Sequence, residues 1–114
     1  IAVTGEGNST TTNLQQGLTK CWVNFDGTGT ISGSSIRDSL NVTSLTDNVT
    51  GNYDINFTND MGNTNFAHVS GCRSEISRSL TVSSASKCTV QTEDDSFNVE
   101  DVTSIFDAIF GDLA

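Results

Sequence analysis

Proline is absent from this 114-residue chain, and tryptophan, tyrosine, methionine and histidine each occur once. The missing proline removes the usual compositional mark of a disordered linker. No run of 18 or more apolar residues occurs, so the sequence predicts no helix that inserts into a membrane. These shortages favour an ordered protein that carries few of the side chains used in catalysis.

Basic residues are also scarce, with 5 Lys and Arg against 14 Asp and Glu and a net charge of −9. A phosphate backbone or an anionic membrane would repel such a chain. We therefore expect no nucleic acid among its partners.

The three cysteines, Cys21, Cys72 and Cys88, form an odd set without CxxC spacing. This pattern indicates neither a zinc knuckle nor a complete disulfide framework. Free thiols are the favoured interpretation. A bridge between Cys72 and Cys88 across a hairpin is geometrically conceivable, and the sequence does not test it.

Groups for acid–base or nucleophilic chemistry are few. His68 lies in an apolar stretch without an orienting partner, which is typical of packing rather than catalysis. The carboxylates at positions 93–95 and 100–101 are interpreted as solvated charges of loops and strand edges. The sequence therefore predicts no catalytic residue, no metal site and no cofactor, and we expect no enzymatic activity.

Small hydrogen-bonding side chains dominate what is present: 16 Thr, 15 Ser and 11 Asn, against a hydrophobic fraction of 34%. Such residues suit solvated strand faces and tight turns. A single domain of this length buries only roughly two-thirds of its unfolded surface. We therefore expect a thin core.

Apolar residues alternate with polar ones, which indicates a series of short strands. Cys21, Val23 and Phe25 share one face of a strand, while Trp22 and Asn24 occupy the other, so both faces carry groups worth burying. Further strands are predicted at residues 1–4, 36–42, 53–57, 65–72, 79–84 and 87–92. Their spacing favours an all-β fold, an antiparallel β-sandwich.

The two ends of the chain depart from this pattern. Residues 10–20 predict a short helix, with Thr12 or Asn13 as its N-cap and Leu14 and Leu18 one turn apart. Residues 101–110 fit helical spacing, but most of their apolar positions are β-branched or aromatic. We therefore predict a strand rather than a helix there.

Four segments of the sequence form a distinctive set: TTTNLQQGLTKCW at residues 10–22, VNFDGTGT at 23–30, the run from IRDSLNV to INFT at 36–58, and AIFGD at 108–112. Together they resemble a family of marine bacteriophage and cyanophage virion proteins that includes tail fibres. The chain departs from the family in carrying extra residues before the Arg-Asp pair.

The resemblance implies a homotrimeric, jelly-roll-like β knob or fibre tip. Residues 1–20 would hold a strand, a loop and a short helix that connect to an upstream stalk or to the virion, and residues 21–114 would form the knob. The expectation that native residues precede Ile1 agrees with this division. The residues expected to pack the core or the three-fold interface are Trp22, Phe25, Phe106 and Phe110.

Residues 62–100 match none of the four segments, and we expect the loops of this stretch to vary and to lie at the exposed end of the trimer. Three of the five basic residues, Arg73, Arg78 and Lys87, lie in this stretch. On an acidic surface they are candidates for contact with an anionic cell-surface glycan. Offsetting Glu75 and the acidic residues 93–95 is an equally good interpretation of the same charges.

The function implied by the resemblance is structural. We expect tail-fibre or spike material at the virion surface, assembled in the cytoplasm of a bacterial host and contributing to host attachment. The expected partners are further copies of the chain and other virion proteins. The alternatives are a capsid-decorating protein or head fibre and, outside a virion, a bacterial surface filament or adhesin subunit.

Overall fold

The computed structural model describes residues 1–80 and 84–114, which form mainly antiparallel β-structure. The elements, in chain order, are β1 (Ala2–Thr4), β2 (Thr11–Asn13), α1 (Leu14–Gly17), β3 (Cys21–Phe25), β4 (Ile36–Leu40), β5 (Val42–Val49), β6 (Asn52–Phe57), β7 (Ala67–Cys72), β8 (Ile76–Ser79), β9 (Lys87–Glu93) and β10 (Ile105–Phe110). A 3₁₀ turn, Gly33–Ser35, precedes β4. The prediction of an all-β, antiparallel fold is confirmed.

The strands form two four-stranded sheets and one hairpin. The first sheet has the order β4-β3-β10-β7 and the second has the order β5-β6-β9-β8, while β1 pairs only with β2. Every pairing is antiparallel. Across the described ranges, no helix is long and apolar enough to cross a membrane.

The inner faces of the two sheets contribute to one hydrophobic cluster. Phe25 of β3 and Tyr53 of β6 are fully buried, and their rings meet edge to face with centroids 5.4 Å apart. Phe57 and Phe66 form a second edge-to-face pair at 5.8 Å. The alternation of β3 and β6 thus places their apolar residues in the core, as predicted.

The prediction of a single strand over residues 36–42 is wrong, because the chain forms two strands there. Asn41 adopts a left-handed conformation, with φ of 62°, and separates β4 in the first sheet from β5 in the second. Asparagine tolerates this conformation better than most residues. Its amide group donates to the carbonyl of Asn59 and its side-chain oxygen accepts from the Asn59 N–H, at 3.0 and 2.7 Å. This one residue therefore carries the chain between sheets.

The stretch of residues 62–100 supplies β7, β8 and β9, which confirms the strands predicted at residues 65–72 and 87–92 and confines loops to the segments between them. Cys88 and Val90 of β9 belong to the core. The strand predicted at residues 79–84 overlaps β8, and its residues 81–83 lie outside the described residues. At the other end, the predicted terminal strand is confirmed over β10, where Ile105 and Ile109 point inward.

We predict that Gly51→Ala costs about 2 kcal/mol more in unfolding free energy than Gly29→Ala. Both glycines have φ near 70°. An added Cβ at Gly51 would lie 2.6 Å from the carbonyl oxygen of Thr92, whereas at Gly29 it would meet nothing within 4 Å. Urea denaturation of both variants measures the difference, and equal losses would show that the backbone around Gly51 yields.

Candidate functional site

The closest approach to a catalytic constellation lies between the sheets. His68 of β7 donates from Nε2 to Oδ1 of Asp107 in β10, at 2.7 Å, and both side chains are at most 2% exposed. The sulfur of Cys88 lies 4.0 Å from the same His68 nitrogen. The cluster arises because His68 and Asp107 occupy inward positions of neighbouring strands.

This cluster lacks the geometry of a Cys–His–Asp triad. A triad places the thiol and the carboxylate on opposite ring nitrogens, whereas Cys88 and Asp107 both approach Nε2 of His68. Burial, and then the charge of Asp107, raise the pKa of the Cys88 thiol, which disfavours the nucleophilic thiolate. The arrangement can order the interior, and it does not present a nucleophile to a substrate.

Asp107 is the partner that sequence reasoning missed. The alternation in IFDAIF gives the signal, because Asp107 falls on the same face as the buried Ile105 and Ile109. Within the described part of the chain, Nδ1 of His68, Oδ2 of Asp107 and the hydroxyl of Ser70 have no hydrogen-bond partner. Such buried polar groups are costly, so the pair is a vulnerable point of the core.

The cysteines form free thiols, as favoured from the sequence. Cys21 and Cys88 are buried, and Cys72 is partly buried. Burial, with a smaller contribution from Asp107, raises the pKa of Cys21 to about 12. Burial therefore disfavours the reactive thiolate form of Cys21 and Cys88 in the folded chain, while Cys72 is more accessible.

The basic residues proposed as glycan contacts lie in different environments. Arg78 pairs with Glu93 at 2.7 Å and Lys87 pairs with Asp54 at 2.8 Å. Arg73 borders a shallow polar depression of about 240 Å³ that two glutamates and Asp101 also line. The structure does not bring the three basic side chains into one described site.

The reading of residues 93–95 as solvated charges is wrong for Glu93, which lies in β9 and is 3% exposed. Its two carboxylate oxygens accept from Arg78 at 2.7 Å and from Gln91 at 2.6 Å. Asp94 follows in a turn, where it accepts from the backbone N–H groups of Ser96 and Asn98. These backbone bonds outweigh partial burial and lower the pKa of Asp94.

The outer face of the second sheet is a hydrogen-bonded polar surface. Asn56 donates to Ser44 and to Thr46, at 3.2 and 3.0 Å. Asp54 accepts from Thr89 at 2.7 Å as well as from Lys87. Burial alone would raise the pKa of Asp54, but these bonds outweigh it and lower the pKa. This face suits contact with water.

The outer face of the first sheet exposes a row of apolar residues, beside a row that also holds Asn24 and Asp38. One row of residues crosses all four strands in register, with Trp22 between Leu40 and Ala108, and Ala108 beside Val69. Phe106 stands in the next row, opposite Gly71. We call these residues the apolar face: Leu40, Trp22, Ala108, Val69 and Phe106. All of them except Leu40 border an open depression of about 470 Å³.

The four residues expected to pack the core or an interface divide between the two sides of the first sheet. Phe25 is fully buried in the core. Trp22 is 37% exposed and Phe106 43% exposed on the apolar face, and Phe110 of β10 is partly buried. Leu40 and Val69, at 48% and 58% exposed, complete a surface that the sequence pattern did not identify as continuous.

No group of three or more His, Cys, Asp or Glu residues in the described ranges is arranged to hold a metal ion. No protein-family model, no curated protein and no solved structure matches this chain. The geometry of the apolar face is therefore the main structural guide to function.

We predict that His68→Leu destabilises the protein by about 3–5 kcal/mol, because it leaves the Asp107 carboxylate buried without its donor. His68→Leu/Asp107→Leu should cost clearly less than the sum of the two single variants. Urea unfolding of the cycle measures the coupling. The exposed Thr43–Thr58 pair, 2.9 Å apart, is the control, and its double Ala variant should be nearly additive. If the losses of the two single variants at His68 and Asp107 simply add, the two side chains do not stabilise each other, which would contradict the buried pair.

Proposed function

We propose that this chain is a structural module of a bacteriophage virion, a homotrimeric tail-fibre or spike knob that contributes to host attachment. The observation that carries the proposal is the contrast between the two outer faces. One face is a saturated polar surface, while the other exposes a row of apolar side chains across four strands. A contiguous exposed apolar surface of this kind is typical of a site that binds a partner.

The resemblance to marine phage virion proteins supports the same proposal from a separate direction. Trp22, Leu40 and Ala108 lie within the segments that carry the resemblance, at residues 10–22, 36–58 and 108–112. These three residues form one continuous row of the apolar face. The segments that resemble virion proteins therefore build the surface that needs a partner.

For the knob we propose a β-sandwich that assembles through the apolar face. Phe25 and Tyr53 join the inner faces of the two sheets, which is how a sandwich closes its core. At the rim of the apolar face, Asn24 accepts from Arg37 at 3.2 Å. An apolar centre with a polar rim is the usual anatomy of a protein interface.

The stability of the proposed assembly depends on the salt concentration. Each copy carries a net charge of −9, so three copies in contact repel one another. At seawater ionic strength the Debye length falls to about 4 Å, which screens most of the repulsion between exposed charges. We therefore expect the assembly to tighten as salt concentration rises.

The glycan contacts remain a subordinate proposal. A glycan that bound Arg78 or Lys87 would compete with the ion pairs to Glu93 and Asp54. Arg73 lies among carboxylates that would repel an anionic sugar. Attachment through a neutral sugar or through another virion protein is consistent with the same virion role.

We predict that the chain is a trimer in solution and that Trp22→Ser/Phe106→Ser converts it to monomers of 12.1 kDa. Losing the exposed area of both rings should weaken each interface by about 3 kcal/mol, or more than 100-fold. Light scattering at several protein and salt concentrations measures the mass. Val49→Ser/Phe97→Ser removes apolar groups elsewhere that are more exposed, at 66% and 68%, and should leave the trimer intact.

A wild-type chain that stays monomeric at all concentrations would contradict the assembly. The virion location has its own test: antibody against the purified chain, applied to particles of the encoding phage, should label the distal tail in electron micrographs. Label over the capsid would select the head-fibre alternative. Particles that bind no antibody would reject the virion role.

A further inference from the structure

The first 18 residues form an arm that has no buried residue. Its two strands, β1 and β2, are three residues long and pair only with each other, and α1 has four residues. A lone hairpin and a single helical turn are marginal in water. The order of the arm therefore calls for a surface that the rest of this chain does not supply.

The arm is fixed only at its base. Lys20 is buried, its Nζ donates to the carbonyl of Leu18 at 2.8 Å, and its N–H donates to the carbonyl of Ile109 at 2.8 Å. Gln16 of α1 reaches Asp112. Within the described residues, β1 and β2 form no hydrogen bond to either four-stranded sheet. The molecule is correspondingly long, at 50 by 28 by 25 Å.

The arm carries exposed apolar side chains of its own. Ile1 is 92% exposed, Val3 42%, Leu14 37% and Leu18 52%. Ile1 and Val3 are two residues apart and share a face of the hairpin. The carbonyl of Ile1 accepts from the N–H of Leu14, which places Leu14, the first residue of α1, beside Ile1 at the open end of the hairpin.

The two unpartnered surfaces expose similar amounts of apolar area. At ~200 Å² for an aromatic and ~100 Å² for an aliphatic side chain, the apolar face exposes roughly 300 Å² and the arm roughly 200 Å². Since about 60% of an interface is apolar, the face alone corresponds to roughly 500 Å². One face and one arm meet at each contact, so a contact buries roughly 800 Å² counted over both partners, which is a small interface. A copy in a closed ring makes two such contacts, one through its face and one through its arm.

We propose that the arm of each copy lies on the apolar face of a neighbouring copy, so that the chains are joined by arm exchange. This inference rests on the proposed self-assembly and names its interface. Leu18, near the base of the arm, lines a pocket with Leu40 of the same chain. No arm residue borders the open depression at Trp22, Val69 and Phe106, and the space beside Gly71 is empty. A second copy supplies both the surface for the arm and an arm for the face.

Cross-linking of mixed chains tests the exchange. Val3→Cys and Val69→Cys are made in separate chains. Both chains also carry Cys72→Ser, because Cys72 is only partly buried, whereas Cys21 and Cys88 are buried and can stay. On mild oxidation this mixture should form covalent dimers about 100-fold faster than a control mixture in which Val49→Cys replaces Val69→Cys. The reason is that two thiols held in one complex meet at millimolar effective concentration. Val49 is as exposed as Val69, at 66% against 58%.

The outcomes separate this inference from the proposed function. A trimer by light scattering without the Val3–Val69 cross-link keeps the assembly and overturns arm exchange. A cross-linked monomer from a chain carrying both cysteines shows that the arm folds onto its own face, which also overturns it. A monomeric chain without any cross-link rejects the assembly together with the exchange.

Discussion

The contact between Phe25 and Tyr53 is the constraint on which the rest of the fold depends. The tyrosine ring packs against the phenylalanine from the opposite sheet, and its hydroxyl reaches the carbonyl of Gly27 and a carboxylate oxygen of Asp101. Asp101 also accepts from the N–H of Gly51. One side chain therefore joins both sheets, two turns and the approach to the last strand. Burial, and then Asp101, raise the pKa of Tyr53, so the phenol stays protonated as a donor.

The two sheets differ in the residues that they expose on their outer faces. The second sheet exposes amides, hydroxyls and paired charges that satisfy one another. The first sheet alternates apolar residues on both sides, so Trp22 and Phe106 are left outside when Phe25 and Ile105 go inside. The thin core and the apolar face are two results of one pattern.

Much of this architecture could be predicted from the sequence, because period-two alternation is strong in β3 and β6 and recognisable in β10. The break at Asn41 could not, since its left-handed backbone leaves no mark on the hydrophobic pattern. Asp107, the partner of His68, was missed because a single carboxylate among alternating apolar residues does not indicate by itself that it is buried and paired. The continuity of Trp22 with Leu40 and Val69 depends on the strand order, which alternation alone does not fix.

Strand β5 lies at an edge of its sheet, and its pairing with β6 shifts register twice, between Val42 and Ser44 and between Asp47 and Val49. A regular edge of eight residues would template the backbone of any neighbouring strand, and sheets would then grow without limit. Bulges make that edge a poor template. The assembly proposed above would instead use contacts between faces, and such contacts end when they close around a symmetry axis. The irregular pairing of β5 thus disfavours edge-to-edge growth of the second sheet into fibrils along this strand.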